Sequence, residues 1–433
     1  MSNTGRFVVM CLLPAVLVAA CTTTPQDLAS TGSVSAEPQP GLAELAAFSQ
    51  CMRDNGIADF PDPDPNGGLN IAGLPIDPDA AEFAAAREAC SDLLPSDMGE
   101  PGQPGADGRS EWDEVFPGGD CLCADGSDFA FWVREADLTK VVFYLEGGGA
   151  CFDATTCAFT GEGDPYDWTI ANETPGVGGG IFDFDREDNP FADYSFVWVS
   201  SCTGDAYLGD STHVYGPDLI VEHNGFVNGI AALEHLVAHF PEAEQVVVLG
   251  KTSGSIAAPI YGGLVSDLLP DSQVIVLGAQ SGGFPDDPDF NTEILGELWG
   301  AHENMPAWEV NEGLSAQDWG PTRFWVQAGL HDPEIVMARF DYAYDRNAAA
   351  TVEYLSGIDG SNLLSLIDAN EAVIEDAGVE QHSYTAPGDD HGVLEFDTFY
   401  KLEVNEVRLV DWAEALLSGT PPEDVHCVDC EVP

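Results

Sequence analysis

Residues Gln245–Gly254 read QVVVLGKTSG, an apolar strand that runs directly into Gly-x-Thr-x-Gly and then into a small-residue helix opening Ser255-Ile256-Ala257-Ala258. A chain that reverses from strand to helix in so little space needs residues without bulk two before and two after the turning residue. Only Thr252 is flanked that way, by Gly250 and Gly254. Such a turn belongs at the carboxyl end of a parallel strand, where the loops of an open α/β sheet carry its chemistry.

The rest of the chain from Glu111 onward agrees with that frame. Apolar runs at Val141–Leu145, Tyr194–Val199, Val246–Leu249, Val274–Leu277 and Phe324–Gln327 read as strands, and Gly225–His239 and Ser255–Leu269 read as helices. Alternation of this kind predicts an α/β fold, a mostly parallel sheet with helices on both faces.

The first part of the chain is organised differently. Arg6 precedes an apolar run, Phe7–Ala20, that is short for a membrane span and closes on Val18-Ala19-Ala20-Cys21. This resembles a bacterial lipoprotein signal, which implies cleavage before Cys21, lipidation of that cysteine, and anchoring at the outer face of the cell membrane. Residues 1–20 are thus expected to be a signal peptide and 21–41, rich in Thr, Ser, Pro and Gln, a tether. Helical periodicity at Leu42–Arg53 and Ala80–Leu94, with Cys51 and Cys90 one on each, predicts a small two-helix module over 42–98 stapled by one disulfide. A Pro/Gly-rich linker follows over 99–110, and 111–433 is the large domain.

Charge removes one class of partner. Against 75 Asp and Glu the chain has 13 Lys and Arg, a formal net charge of −62, so a nucleic acid meets like charge at every approach. The acids are scattered and show no calcium-loop spacing, and the sequence asks for no cofactor. The surface suits salty surroundings, where ions screen self-repulsion.

Eleven cysteines occur, and in an exported chain disulfides are the default. Cys11 leaves with the signal and Cys21 goes to lipid, which leaves an odd number. Cys51–Cys90 and Cys151–Cys157 are expected as local pairs, with at least one bridge from Cys121 or Cys123 to the tail pair Cys427 and Cys430, and one thiol free. Zinc on Cys121, Cys123, Cys427 and Cys430 is the competing arrangement, disfavoured by oxidising conditions and the poor first spacing.

Three further segments complete a chemical constellation around Thr252. Glu146-Gly147-Gly148-Gly149 follows a strand, and its bare N–H groups can face a developing oxyanion; no P-loop lysine follows. Asp332 lies in AGLHD after the run Phe324–Gln327, and His391 lies in APGDDHG. Thr252, Asp332, His391 is the order nucleophile, acid, base of an α/β-hydrolase, with His391 taking the hydroxyl proton and Asp332 fixing its tautomer. His331 and Asp390 are the alternative base and acid. The backbone N–H of Ser253 completes the oxyanion hole with Gly148 and Gly149, and no metal is required.

Residues 111–433 resemble the pectin acetylesterase/Notum family of carboxylesterases, through LEGGGACFD (Leu145–Asp153), VSSCTGDAYLGD (Val199–Asp210), the elbow, YTAPGDDH (Tyr384–His391) and VRLVDW with DVHC near the tail. The resemblance implies an α/β-hydrolase-like fold, oxyanion donors at Gly148, Gly149 and Ser253, an acid at Asp332, a base at His391 and a nucleophile at Thr252. The family carries Ser followed by Ala where this chain has Thr252 and Ser253. A β-branched residue at the positive φ of an elbow is strained and crowds the carbonyl, which predicts an enzyme that is slow, confined to small acyl groups, or inactive. The implied activity is removal of short acyl groups, most simply acetyl, from a carbohydrate-type O-ester. A polygalacturonate chain would be repelled unless salt screened it, so a neutral acetylated polysaccharide fits better. Trp198, Tyr207 and Trp299 are candidate sugar-stacking rings. The alternatives are a surface binding lipoprotein on a retired hydrolase scaffold and, third, a thioesterase or lipid-ester hydrolase.

Overall fold

Strands buried on both faces must alternate side chains between two apolar layers, and the central strands here do so residue by residue. Val141, Phe143 and Leu145 enter one core while Val142 and Tyr144 enter the other; Val246 and Val248 oppose Val247 and Leu249 in the same way. The computed structural model describes residues 42–57, 60, 86, 90, 112–160, 165–171, 173, 175, 179–428 and 430. The signal, tether and linker segments, and most of the stretch Ala80–Leu94, lie outside them. The chain divides into two compact units, Met1–Pro101 and Gly102–Pro433.

In the first unit α1 (Leu42–Asp54) carries Phe48 and Met52 into a small cluster with Phe60, Ala86 and Cys90. The Cys51–Cys90 disulfide lies within this cluster, and Arg53 Nη1 donates to Phe60 O at 2.7 Å. So small a core depends on its cross-link.

In the second unit, the described residues form a nine-stranded sheet. Its strands are β1 (Asp113–Val115), β2 (Phe131–Arg134), β3 (Asp137–Leu145), β4 (Tyr194–Val199), β7 (Gln245–Lys251), β8 (Gln273–Ala279), β9 (Val336–Tyr342), β10 (Gln381–Ala386) and β13 (Val425–His426). They lie in the order β1-β2-β4-β3-β7-β8-β9-β10-β13. The β1–β2 and β2–β4 pairs are antiparallel, and every pair from β4–β3 to β10–β13 is parallel. β5 (Ser211–Gly216) and β6 (Leu219–His223) make a separate hairpin, and β11 (Glu403–Val404) pairs with β12 (Val407–Arg408).

One face is covered by α2 (Gly225–His239), α3 (Ser253–Leu268) and α4 (Pro321–His331), through Leu233, Leu236, Ile260, Tyr261, Phe324 and Trp325. Residues 409–417 cover the other face, through Leu409, Trp412 and Leu416. Among the described residues, no helix is long and apolar enough to cross a membrane.

Two sequence expectations are corrected. Phe324–Gln327 is helical, inside α4, which opens with Pro321 at its first position as a helix start favours. The strand lies further on, at β9, whose apolar run is interrupted by Arg339 and Asp341; both are buried and face each other at 3.7 Å. The second correction concerns cysteines: among the described residues the bridges are Cys123–Cys202, Cys151–Cys157 and Cys427–Cys430, besides Cys51–Cys90, and Cys121 is the free, buried thiol. No bridge ties Cys121 or Cys123 to the tail. Cys123 is fixed beside the end of β4, whereas the tail follows β13 at the opposite edge, on the order of 30 Å away at strand spacing, and a disulfide spans less than ~7 Å between Cα atoms.

Candidate active site

The turn after β7 is as tight as its glycines suggest. Thr252 has φ 45° and ψ −109°, and α3 starts at Ser253. A Cβ on Gly250 would stand 2.4 Å from Gly254 O, and one on Gly254 would stand 2.2 Å from Leu145 O. Any side chain at either position would therefore force the turn apart. A β-branched residue at such a φ stores on the order of 1–3 kcal/mol of strain.

The glycine run after β3 is fitted against this turn. A Cβ on Gly147 would lie 2.1 Å from Thr252 Oγ1, one on Gly148 would lie 2.7 Å from Ser201, and Gly149, at φ 76°, approaches Pro165 O. Gly148 N–H donates to Ser253 Oγ at 3.2 Å. The loop is clamped from behind by Tyr207, whose hydroxyl lies 2.9 Å from both Glu146 O and Val199 O. Tyr207 is itself held by buried Asp205, which accepts from Thr203 Oγ1 at 2.7 Å, Tyr207 N at 3.2 Å and Gly225 N at 2.7 Å.

Beside the loop, Lys251 Nζ pairs with Glu395 at 2.6 Å, and Tyr144 OH donates to the same carboxylate at 2.8 Å. Burial drives the Glu146 carboxyl well above the usual carboxylate range, with Glu173 adding and Lys251 opposing. Glu173 is pushed up to about 7, first by burial and then by Asp167, against the pull of Lys251. Ionisation of the carboxyls beside the glycine loop is thus opposed by burial.

His391 lies beyond β10, and its Nδ1 is 2.7 Å from Asp345 Oδ2. Asp345 is 2% exposed in its side chain and is fixed by its position as the N-cap of α5 (Arg346–Ser356), where Oδ1 accepts from Asn347 N at 2.9 Å and Ala348 N at 3.0 Å. Capping by a carboxylate is a strong local preference. Gln280 Nε2 reaches the same Oδ2 at 3.4 Å. Gln280 follows Ala279, whose carbonyl accepts from Thr252 N at 2.8 Å, so a short run of contacts leads from the turn to the imidazole. Among the described residues, no hydrogen bond joins Thr252 Oγ1 to His391 itself.

Asp332 is not the partner of His391. It caps the carboxyl end of α4, its Oδ1 accepts from Glu334 N at 3.0 Å, and it precedes β9, so the whole strand separates it from the edge that carries His391, about 20 Å at 3.3 Å per residue. Asp345, missed in the sequence, follows β9 at the correct edge; an Asp three residues past a strand that contains Arg339 and Asp341 gives little signal. His331 pairs with Asp267 at 2.8 Å and stacks on Trp308. Ser255 Oγ is buried and lies 2.6 Å from Ser281 Oγ. Trp198, Tyr207 and Trp299 are 3%, 2% and 2% exposed, so they are core residues rather than stacking platforms for sugar.

Residues 118–302 match the family Pectinacetylesterase. Among curated proteins none matches the chain. Of solved structures, the Wnt deacylase Notum from Drosophila is similar in fold, with a TM-score of 0.52 and 16% identity, over 74% of this chain and 97% of that one. The four disulfides among the described residues are the pattern of a protein that matures outside the reducing cytoplasm, and the family match supports a carboxylic ester hydrolase. Over residues 118–302, the chain is thus similar to the pectinacetylesterase family.

Proposed function

We propose that the protein is an exported carboxylesterase, held at the outer face of the membrane by lipid on Cys21, that removes short acyl groups from a carbohydrate-type O-ester. The observation that carries the reading is the His391–Asp345 pair at 2.7 Å, set at the same sheet edge as the turn of Thr252. In this scheme Thr252 Oγ1 attacks the acyl carbon, His391 Nε2 takes its proton, and Asp345 holds the Nδ1–H tautomer and stabilises the imidazolium. The proton passes to the leaving alcohol, and water then releases the acyl group by the same steps in reverse order. N–H groups of the glycine loop and of Ser253 face the oxyanion, with the amino end of α3 adding its positive field. The methyl of Thr252 confines the acyl group to small ones such as acetyl.

Turnover of p-nitrophenyl acetate, with labelling of Thr252 by a fluorophosphonate, tests the scheme. The reading requires both in the native chain and neither in Thr252→Ala. Equal turnover in the two would remove Thr252 from the chemistry. A second reading, a binding lipoprotein on the same scaffold, is favoured by the strained β-branched residue at the turn and by its unjoined hydroxyl. It requires no turnover and no labelling in the native chain. Longer acyl esters in the same assay separate an acetylesterase from a lipid-ester hydrolase.

A further inference from the structure

A hydroxyl one residue past the nucleophile changes what the oxyanion site is made of. The Gly148 N–H, which would otherwise point at the substrate oxygen, is taken by Ser253 Oγ at 3.2 Å. Ser253 is the first residue of α3 and is 6% exposed. Its oxygen receives the Gly148 N–H, and among the described residues its own proton has no acceptor. A serine in the first turn of a helix has no carbonyl of a preceding turn within reach to take that proton. The accepted N–H polarises the hydroxyl and makes it a better donor. Gly148 and Ser253 are joined by this bond, and both adjoin residues of the turn, since Gly147 is packed against Thr252 Oγ1 and Ser253 follows Thr252.

We propose that the Ser253 hydroxyl is an oxyanion donor: it relays the Gly148 N–H and, with the backbone N–H of Ser253 and Gly149, hydrogen-bonds the oxygen that becomes negative during attack on the ester. Ser253 is then a catalytic residue in its side chain as well as its backbone. The proposal rests on the esterase reading above. No proton is transferred in this role: Ser253 O–H donates throughout, and the electron pair of the acyl C=O moves onto oxygen in the tetrahedral intermediate and back on collapse.

The experiment is steady-state kinetics on p-nitrophenyl acetate for the native full-length protein, Ser253→Ala, Ser253→Thr and Thr252→Ala, with fluorophosphonate labelling and melting temperature for each. Alanine is smaller than serine and favours a helix, so the fold is expected to hold. A lost oxyanion donor lowers kcat about 100-fold. The expected result is such a loss in Ser253→Ala with KM within about threefold, Thr252 still labelled, and partial rescue by Ser253→Thr. Native or higher kcat in Ser253→Ala would overturn the proposal, since the hydroxyl would then merely block Gly148 N–H. Loss of Thr252 labelling in Ser253→Ala, at an unchanged melting temperature, would also overturn it by making Ser253 part of the attack itself. If Thr252→Ala matches the native rate, the esterase reading has failed instead, whatever Ser253→Ala shows.

Discussion

Asp345 offers His391 a carboxylate oxygen 2.7 Å from Nδ1 while its other oxygen caps a helix. Asp345→Asn preserves the cap but removes the charge that, in the proposed scheme, stabilises the imidazolium. A drop in kcat of about 10³–10⁴ is expected, by analogy with the loss of a triad acid. Asp332→Ala should leave kcat within about threefold, because among the described residues its carboxylate bonds Glu334 N alone. Parallel assays of the two variants check the assignment, and a larger effect at Asp332 would reverse it.

Thr252 adopts φ 45°, where its β-branch is strained. Thr252→Ser keeps the hydroxyl and removes the methyl that crowds the acyl carbon. The variant should be faster by roughly tenfold, equivalent to ~1.4 kcal/mol, and slightly more stable in a melting experiment. A slower serine variant would mean that the methyl positions the hydroxyl rather than obstructs it.

Gly147 has no room for a side chain, with Thr252 Oγ1 at 2.1 Å and Lys251 O at 2.9 Å from a built Cβ. Gly147→Ala must push either the glycine loop or the Thr252 hydroxyl away. Esterase activity is expected to fall by more than about 100-fold, since a misplacement near 1 Å costs that much, while circular dichroism remains that of the native fold.

His223 reports acid stability. Its Nδ1 donates to Thr203 O at 2.9 Å, and Tyr215 OH lies 2.8 Å from Nε2. Burial, the largest cause, lowers its pKa from 6.5 to about 4. Between these values the unfolded chain binds the proton and the folded chain does not, so stability is fully present above pH 6.5 and is lost as pH falls towards 4. The contribution is on the order of 3 kcal/mol. Asp205 and Asp341, both pushed up to about 6 by burial, act oppositely over the lower part of that window. The difference between native and His223→Gln isolates the histidine: from pH 7 to pH 4.5 the melting temperature of the variant should rise relative to that of the native protein.

The sequence exposed those parts of the site where one short segment dictates the geometry. Gly250 and Gly254 around Thr252, and the glycines before Cys151, are forced by contacts a few ångströms away, so residue type alone reveals them. The acid was hidden because its strand does not look like one. Arg339 and Asp341 interrupt the apolar run of β9 and are buried as a pair, whereas Phe324–Gln327 is apolar enough to pass for a strand yet belongs to a helix covering the sheet. Four-residue apolar runs do not separate the two by periodicity. The cysteine bridges depended on which strand lies at which edge, a property of the whole sheet order that no local pattern contains.

The loops bearing Gly148, Thr252, Asp345 and His391 leave β3, β7, β9 and β10, strands that lie side by side or nearly so in space but are separated by long stretches of chain. No contiguous fragment carries the whole apparatus, and closing the loops between these strands is the slow, entropically costly part of reaching the native topology. Recovery of ester turnover during refolding should therefore trail the recovery of helical signal. Catalytic competence would then serve as a timer for the final long-range strand pairing.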